Sequence, residues 1–196
     1  VRFPDARGEL DHRNAFELLI ATILSAQTTD KQVNKVTKNL FLKYPTPESM
    51  GKADIDDLEY TIKNIGLYRN KAKNIKGAAK GLCENFSGEV PKTVEELMTL
   101  PGVGIKTANV VMSNAFGIPA IAVDTHVFRV SNRIGLSDSD DVGKCESDLR
   151  KILDKREWSH AHHLLIFLGR YVCKARKPMC EECNLHENCR YYKNNY

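Results

Sequence analysis

Cys173, Cys180, Cys183 and Cys189 are separated by six, two and five intervening residues near the end of a 196-residue chain. Four thiols in so short a stretch cannot all ionise unless a cation neutralises them, and the basic loop around them has almost no core of its own. The spacing predicts a metal cage that supplies the fold there. Four thiolates suit tetrahedral zinc or a [4Fe-4S] cube. The spacing matches neither the paired C-x2-C pattern of many structural zinc sites nor the ferredoxin run, so on spacing alone both stay open. A cage of this kind points to a reducing compartment rather than a disulfide scaffold. The two remaining cysteines, Cys83 and Cys145, are expected to pack.

Elsewhere apolar residues recur at helical spacing and strand-like alternation is scarce, which predicts an all-α protein. Phe16, Leu19, Ile20, Ile23 and Leu24 line one face of a first helix starting near Asn14. Thr29 with Gln32, and Thr93 with Glu96, have the pattern of capping boxes, and Pro45-Thr46-Pro47 is a break between helices. A longer helix is expected from about 69 to 86, with Ile75, Ala78, Ala79 and Leu82 inward. After Gly117-Ile118-Pro119, an apolar run leads to Asp124-Thr125-His126, a natural N-cap, and on to helices carrying Val127, Val130 and Ile134, then spanning about 143 to 153 and 157 to 172. The break at 117–119 divides the chain into two helical lobes with a cleft between them, residues 14–118 and residues 1–13 plus 119–196. No run of about 18 apolar residues and no signal peptide is visible, so the expected location is cytoplasmic.

The formal net charge is only +4. Yet Lys63, Arg69, Lys71, Lys73, Lys76 and Lys80 fall between residues 61 and 81 with no Asp or Glu among them. Such a stripe suits a polyanion, although a solvated helix face has the same look. Leu100-Pro101-Gly102-Val103-Gly104-Ile105-Lys106-Thr107-Ala108 is more specific. Two glycines around one apolar residue allow a tight turn between two helices, and the second helix then presents its first amides outward. That geometry binds a phosphate oxygen through backbone N–H groups, with no sequence preference. A looser echo, Ile65-Gly66-Leu67-Tyr68-Arg69-Asn70-Lys71, precedes the basic helix, and the pair suggests two grips on a nucleic-acid backbone.

Two residues stand out for chemistry. Lys106 lies in the first turn after the hairpin, where the positive end of the helix dipole works against an ammonium and favours attack by the neutral amine. Its plainer role is a phosphate contact. Asp124 is an N-cap by position, and a capping carboxylate can also present its second oxygen to a reacting sugar. His160, His162 and His163 have metal-ligand chemistry but are read as flanking the apolar residues of their helix, and Trp158 and Tyr171 as packing residues.

With these motifs in view the chain resembles the endonuclease III family of helix-hairpin-helix DNA glycosylases, from FELLIATILSAQTTD through IGLYRNKAKNI, LPGVGIKTANVV and VDTHVFRVSNR to GRYVCKARKPMCEECNLHENC. The resemblance implies a two-lobed helical fold, with a barrel-like lobe carrying the hairpin and a second lobe ending in a [4Fe-4S] cluster on the four cysteines. It implies a monomeric base-excision-repair enzyme, a glycosylase and abasic-site lyase acting on double-stranded DNA with oxidised pyrimidines. Lys106 then looks like the nucleophile and Asp124 the essential carboxylate. Gln27 and Leu67 would enter the base stack once the damaged nucleotide has rotated out. Gly102, Gly104, Lys106, Thr107, Lys71 and Lys177 would contact the DNA backbone, and the cluster loop would bring Lys174, Arg176 and Arg190 to it as well. The chain opens without the leading helix that covers the cluster lobe in the family, so poorer cover is expected there. A mismatch-specific or monofunctional glycosylase of the same superfamily, or a non-catalytic hairpin module, remains the alternative. Lys106 with Asp124 speaks against the module, since phosphate binding needs no carboxylate.

Overall fold

The computed structural model describes residues 3, 6 and 8–195, and among them every regular element is helical. The chain divides into two compact units, Glu9–Ile118 and Val1–Gly8 with Pro119–Tyr196, each around its own apolar core.

In the larger unit α1 (Ala15–Leu24) starts where the Asn14 side chain accepts the Glu17 N–H at 2.9 Å. Its residues Leu19, Ile20, Ala21 and Leu24 are fully buried, because α1 is wrapped by α2 (Asp30–Lys43), α5 (Tyr68–Phe86) and α7 (Ile105–Phe116). Around these pack α3 (Pro47–Gly51), α4 (Ile55–Ile62) and α6 (Val94–Leu97). The proline break starts a helix as well as ending one: Thr46 and Ser49 form a reciprocal capping box with Pro47 in the first turn. The two expected boxes close on one side only. Thr29 Oγ1 accepts the Gln32 N–H, but the Gln32 amide reaches away to the Asn64 carbonyl at 3.2 Å. Thr93 accepts the Glu96 N–H, while the Glu96 carboxylate takes the Thr93 hydroxyl at 2.7 Å rather than its N–H.

The smaller unit contains α8 (Thr125–Ile134), α9 (Val142–Ile152), α10 (Trp158–Tyr171) and α11 (Arg190–Asn195). Ile121, Val127, Val130, Cys145 and Leu149 form its core, so Cys145 packs. Trp158 Nε1 donates to the Leu153 carbonyl at 3.1 Å, and the buried rings of His162 and His163 meet with centroids 5.0 Å apart. Near the start of the chain, Phe3 packs its ring against Phe167 and Tyr171. The expectation of poor cover from this stretch otherwise falls on residues 1, 2, 4, 5 and 7, outside the described residues. Among the described residues no helix is long and apolar enough to cross a membrane.

One polar tie joins α2 to α4. The Tyr44 hydroxyl and the Lys43 ammonium both donate to the Asp57 carboxylate. Burial, then the bond to Asp57, pushes the Tyr44 phenol up to about 12 from the ordinary 10.0. A raised phenol pKa means the stabilisation is whole below pH 10 and fades as pH rises toward 12. In an ultraviolet tyrosinate titration we expect one late phenol that Tyr44→Phe removes. The stability advantage of wild type over that variant should shrink across the same window.

Candidate functional site

The hairpin joins α6 to α7 through a turn whose apolar residues Leu100 and Val103 are buried. Gly102 adopts φ +78°, and a Cβ there would lie 2.9 Å from Cβ of Asn74 on α5, so both backbone and space require glycine. Gly104 is different: it is extended (φ −99°, ψ 178°), and a Cβ there would meet nothing within 4 Å. It is the N-cap of α7, where no side chain caps the helix and no acidic residue occupies the first turn. The amides of Ile105, Lys106 and Thr107 therefore sit at an open, positive helix end of the kind that binds anions. Lys106 is exposed as the second residue of α7, and Thr107 is half-buried.

Gln27 and Leu67 share an unusual backbone. Both have left-handed φ, 54° and 59°, which costs a non-glycine residue about 1–2 kcal/mol. Leu67 is also 64% exposed, a large apolar side chain projecting from strained backbone. Strain of this type persists only where surrounding contacts impose it. Lys177, on the cysteine loop, is exposed with φ 52°.

Lys71 is where the structure departs from the sequence reading. It was expected on the DNA-contacting face and is instead 5% exposed, with its ammonium donating to the Ala26 carbonyl at 2.7 Å and Thr28 Oγ1 at 2.8 Å. Burial holds its pKa below the usual lysine value. The reason is helical phase: at about 100° per residue, Arg69, Lys73, Lys76 and Lys80 share one face of α5 and Lys71 points away from it. Of that outer set, Arg69 and Lys80 pair with Glu59 and Glu84.

The inward stripe of α5 organises the unit's candidate residues. Leu67 is the N-cap, Lys71 reaches the turn holding Gln27, and Asn74 abuts Gly102 of the hairpin. These positions are i, i+4 and i+7, so one helix face gathers three loops. Asn74 was not singled out from sequence, although its spacing from Leu67 carried the signal.

In the smaller unit Asp124 is half-buried and caps α8, its Oδ1 accepting the His126 and Val127 N–H groups at 2.9 and 2.8 Å. Both bonds fall on Oδ1, so Oδ2 takes no part in the cap. The same helix fastens the cysteine loop. Arg129 donates to the Gly169 and Cys173 carbonyls at 2.9 and 3.1 Å, and Arg133 to those of Lys174 and Ala175 at 2.7 and 3.1 Å. Neither arginine was picked out from sequence. Arg190, expected to face a phosphate backbone, instead ties the loop down through the Asn132 and Ser137 carbonyls and Asp138. Lys174, Arg176 and Lys177 stay exposed.

All four loop cysteines line one pocket, beside Arg133, Met179 and Tyr191. Burial, followed by the charges of Cys173, Cys189 and Cys183, pushes the Cys180 thiol up, while Arg133 opposes the rise. Among the described residues no three His, Cys, Asp or Glu side chains converge on one ion. Thiols that feel one another around a shared cavity have the chemistry to hold a multinuclear group.

The HhH-GPD superfamily base excision DNA repair protein family matches residues 20–155. Endonuclease III of Bacillus subtilis is 55% identical over 189 residues, 96% of this chain and 86% of that protein. Endonuclease III of Rickettsia conorii is 51% identical, covering 97% and 91% of the two chains. The chain belongs to the endonuclease III family of the HhH-GPD superfamily. A solved structure of a trapped endonuclease III–DNA covalent intermediate, in an estranged-adenine complex, superposes with a TM-score of 0.93 at 57% identity, covering 98% of this chain and 91% of that one. The all-helical fold is thus the endonuclease III fold.

The two hairpin glycines of this endonuclease III family member should respond differently to a methyl group. Gly102→Ala meets both a left-handed backbone and Asn74, and should lose more than about 1 kcal/mol of stability. Gly104→Ala should stay within about 0.5 kcal/mol of wild type. Chemical denaturation of the two variants distinguishes them.

Proposed function

We propose that this protein is a bifunctional DNA glycosylase and abasic-site lyase of cytoplasmic base excision repair, removing oxidised pyrimidines from double-stranded DNA and nicking 3′ of the abasic site. The observation that carries this is Lys106 at the open, uncapped N-terminus of α7, in a chain about half identical to endonuclease III over nearly its whole length. The trapped covalent intermediate of the similar endonuclease III supports a covalent route.

The amides of the hairpin hold the backbone phosphate, giving grip without sequence preference. The damaged nucleotide rotates out of the duplex, and Gln27 and Leu67, carried on their left-handed turns, fill the gap. Lys106 Nζ attacks C1′, and the bond to the base breaks with its electron pair leaving on the base, which takes up a proton. The Asp124 carboxylate, oriented by its capping bonds, stabilises positive charge developing on the sugar and accepts a proton from the amine. Ring opening leaves an iminium linkage between Lys106 and C1′, which acidifies the C2′ protons. Loss of one C2′ proton expels the 3′-phosphate by β-elimination, and water then hydrolyses the imine and frees the lysine.

Cys173, Cys180, Cys183 and Cys189 would hold a [4Fe-4S] cluster, a reading supported by the pocket they share and by the family. When bound, it supplies a cross-link that fixes the loop and so presents Lys174, Arg176 and Lys177 to the DNA backbone. The hairpin residues and this loop form separate backbone grips, and the protein acts as a monomer.

Borohydride trapping on a duplex with one abasic site tests the mechanism. Wild type should form a stable adduct; Lys106→Gln should form none and still bind the duplex. Asp124→Asn should slow the reaction by about 10²–10⁴-fold. Strand cleavage that survives in Lys106→Gln would remove the lysine from the chemistry.

A further inference from the structure

Lys71 is a buried cation bonded to two neutral oxygens, and the residues that supply them, Ala26 and Thr28, stand on either side of Gln27. Gln27 lies in a left-handed conformation within a turn that the Thr28 N–H closes onto the Ser25 carbonyl at 3.0 Å. An isolated turn of this kind favours glycine at that position. The lysine's own N–H donates to the Leu67 carbonyl at 3.1 Å, and Leu67 is the second left-handed residue. Lys71 therefore bonds to both strained segments at once, one through its side chain and one through its backbone. Gln32 adds a second tie, from α2 to the Asn64 carbonyl just ahead of Leu67.

From this arrangement we infer that Lys71 is a positioning residue, whose buried ammonium locks the turn at Gln27 onto the N-terminus of α5 so that Gln27 and Leu67 enter the base stack as one preset unit. The inference rests on the proposed insertion of those two side chains. A loop already in its working shape loses little conformational freedom when it meets the gap left by the rotated nucleotide, whereas a free loop would be ordered at that moment. Lys71 itself, being enclosed, touches no DNA. Its effect on the reaction must run through the Gln27 turn, and that distinguishes it from a residue that merely holds the fold together.

The test is a double-mutant cycle read by single-turnover base excision from a duplex with one thymine glycol. Lys71→Met keeps length and bulk while removing the charge; Gln27→Gly removes the side chain and relieves the turn. Each single change should slow excision by about tenfold, the size of coupling found between contacting residues. The double variant should be no slower than Gln27→Gly to within about twofold. Losses that multiply to about a hundredfold would show that Lys71 acts elsewhere and overturn the inference, as would a wild-type rate in Lys71→Met. A wild-type rate in Gln27→Gly would remove the insertion reading itself, and this inference with it, while borohydride trapping through Lys106 would stand apart from both. Should Lys71→Met fail to fold by circular dichroism, Thr28→Val deletes one of the two acceptors. Its slowing should likewise disappear in the Gln27→Gly background, and slowing that persists there would overturn the inference.

Discussion

One face of α5 sets the arrangement of the larger unit. Its deeper part is anchored by fully buried Ile75, Ala78, Ala79 and Leu82, so the helix cannot rotate without opening the core. Leu67, Lys71 and Asn74 follow on from that anchor at helical spacing and fix, in turn, a strained cap, the turn at Gln27 and the hairpin at Gly102. Three loops far apart in sequence thus share one rigid reference. Loops are otherwise the mobile part of a fold, and the proposed site gains from having them supported by a helix.

In the smaller unit α8 has the same relation to its surroundings. Its N-terminus is capped by Asp124, and its last two turns carry Arg129 and Arg133 into the carbonyls of the cysteine loop. A carboxylate held by two backbone amides is fixed in orientation, which suits the role proposed for it beside developing positive charge. The loop, by contrast, has little apolar packing, and the arginine forks that reach its carbonyls take the place of a core. Basic side chains that tie the loop inward, such as Arg190, are then distinct from those it leaves outside, such as Lys177.

Strained backbone and proposed function coincide in this chain. Of four non-glycine residues with left-handed φ among the described residues, Ser87 ends a helix, and the other three are Gln27, Leu67 and Lys177, each expected at the DNA surface. The conformation turns a side chain out of the line of its neighbours, and the tertiary contacts beneath Gln27 and Leu67 sustain it.

Much was legible in the amino-acid sequence because it depends on local chemistry. Apolar spacing marked the long helices, Asn14 and Asp124 announced their caps, the glycines at 102 and 104 marked the hairpin, and four close cysteines marked the loop. Short polar elements such as α11 carry too little periodicity to be seen. The side-chain destinations were decided only by the tertiary structure. Gln32 has the sequence of a capping-box partner yet bonds across to Asn64, and Lys71 belongs by sequence to a basic stripe yet turns into the protein. Charge and spacing determine which residues could bind a phosphate. Which of them face outward depends on helical phase and on what packs against each face, and a buried ammonium is tolerated only where folding has brought oxygens to meet it.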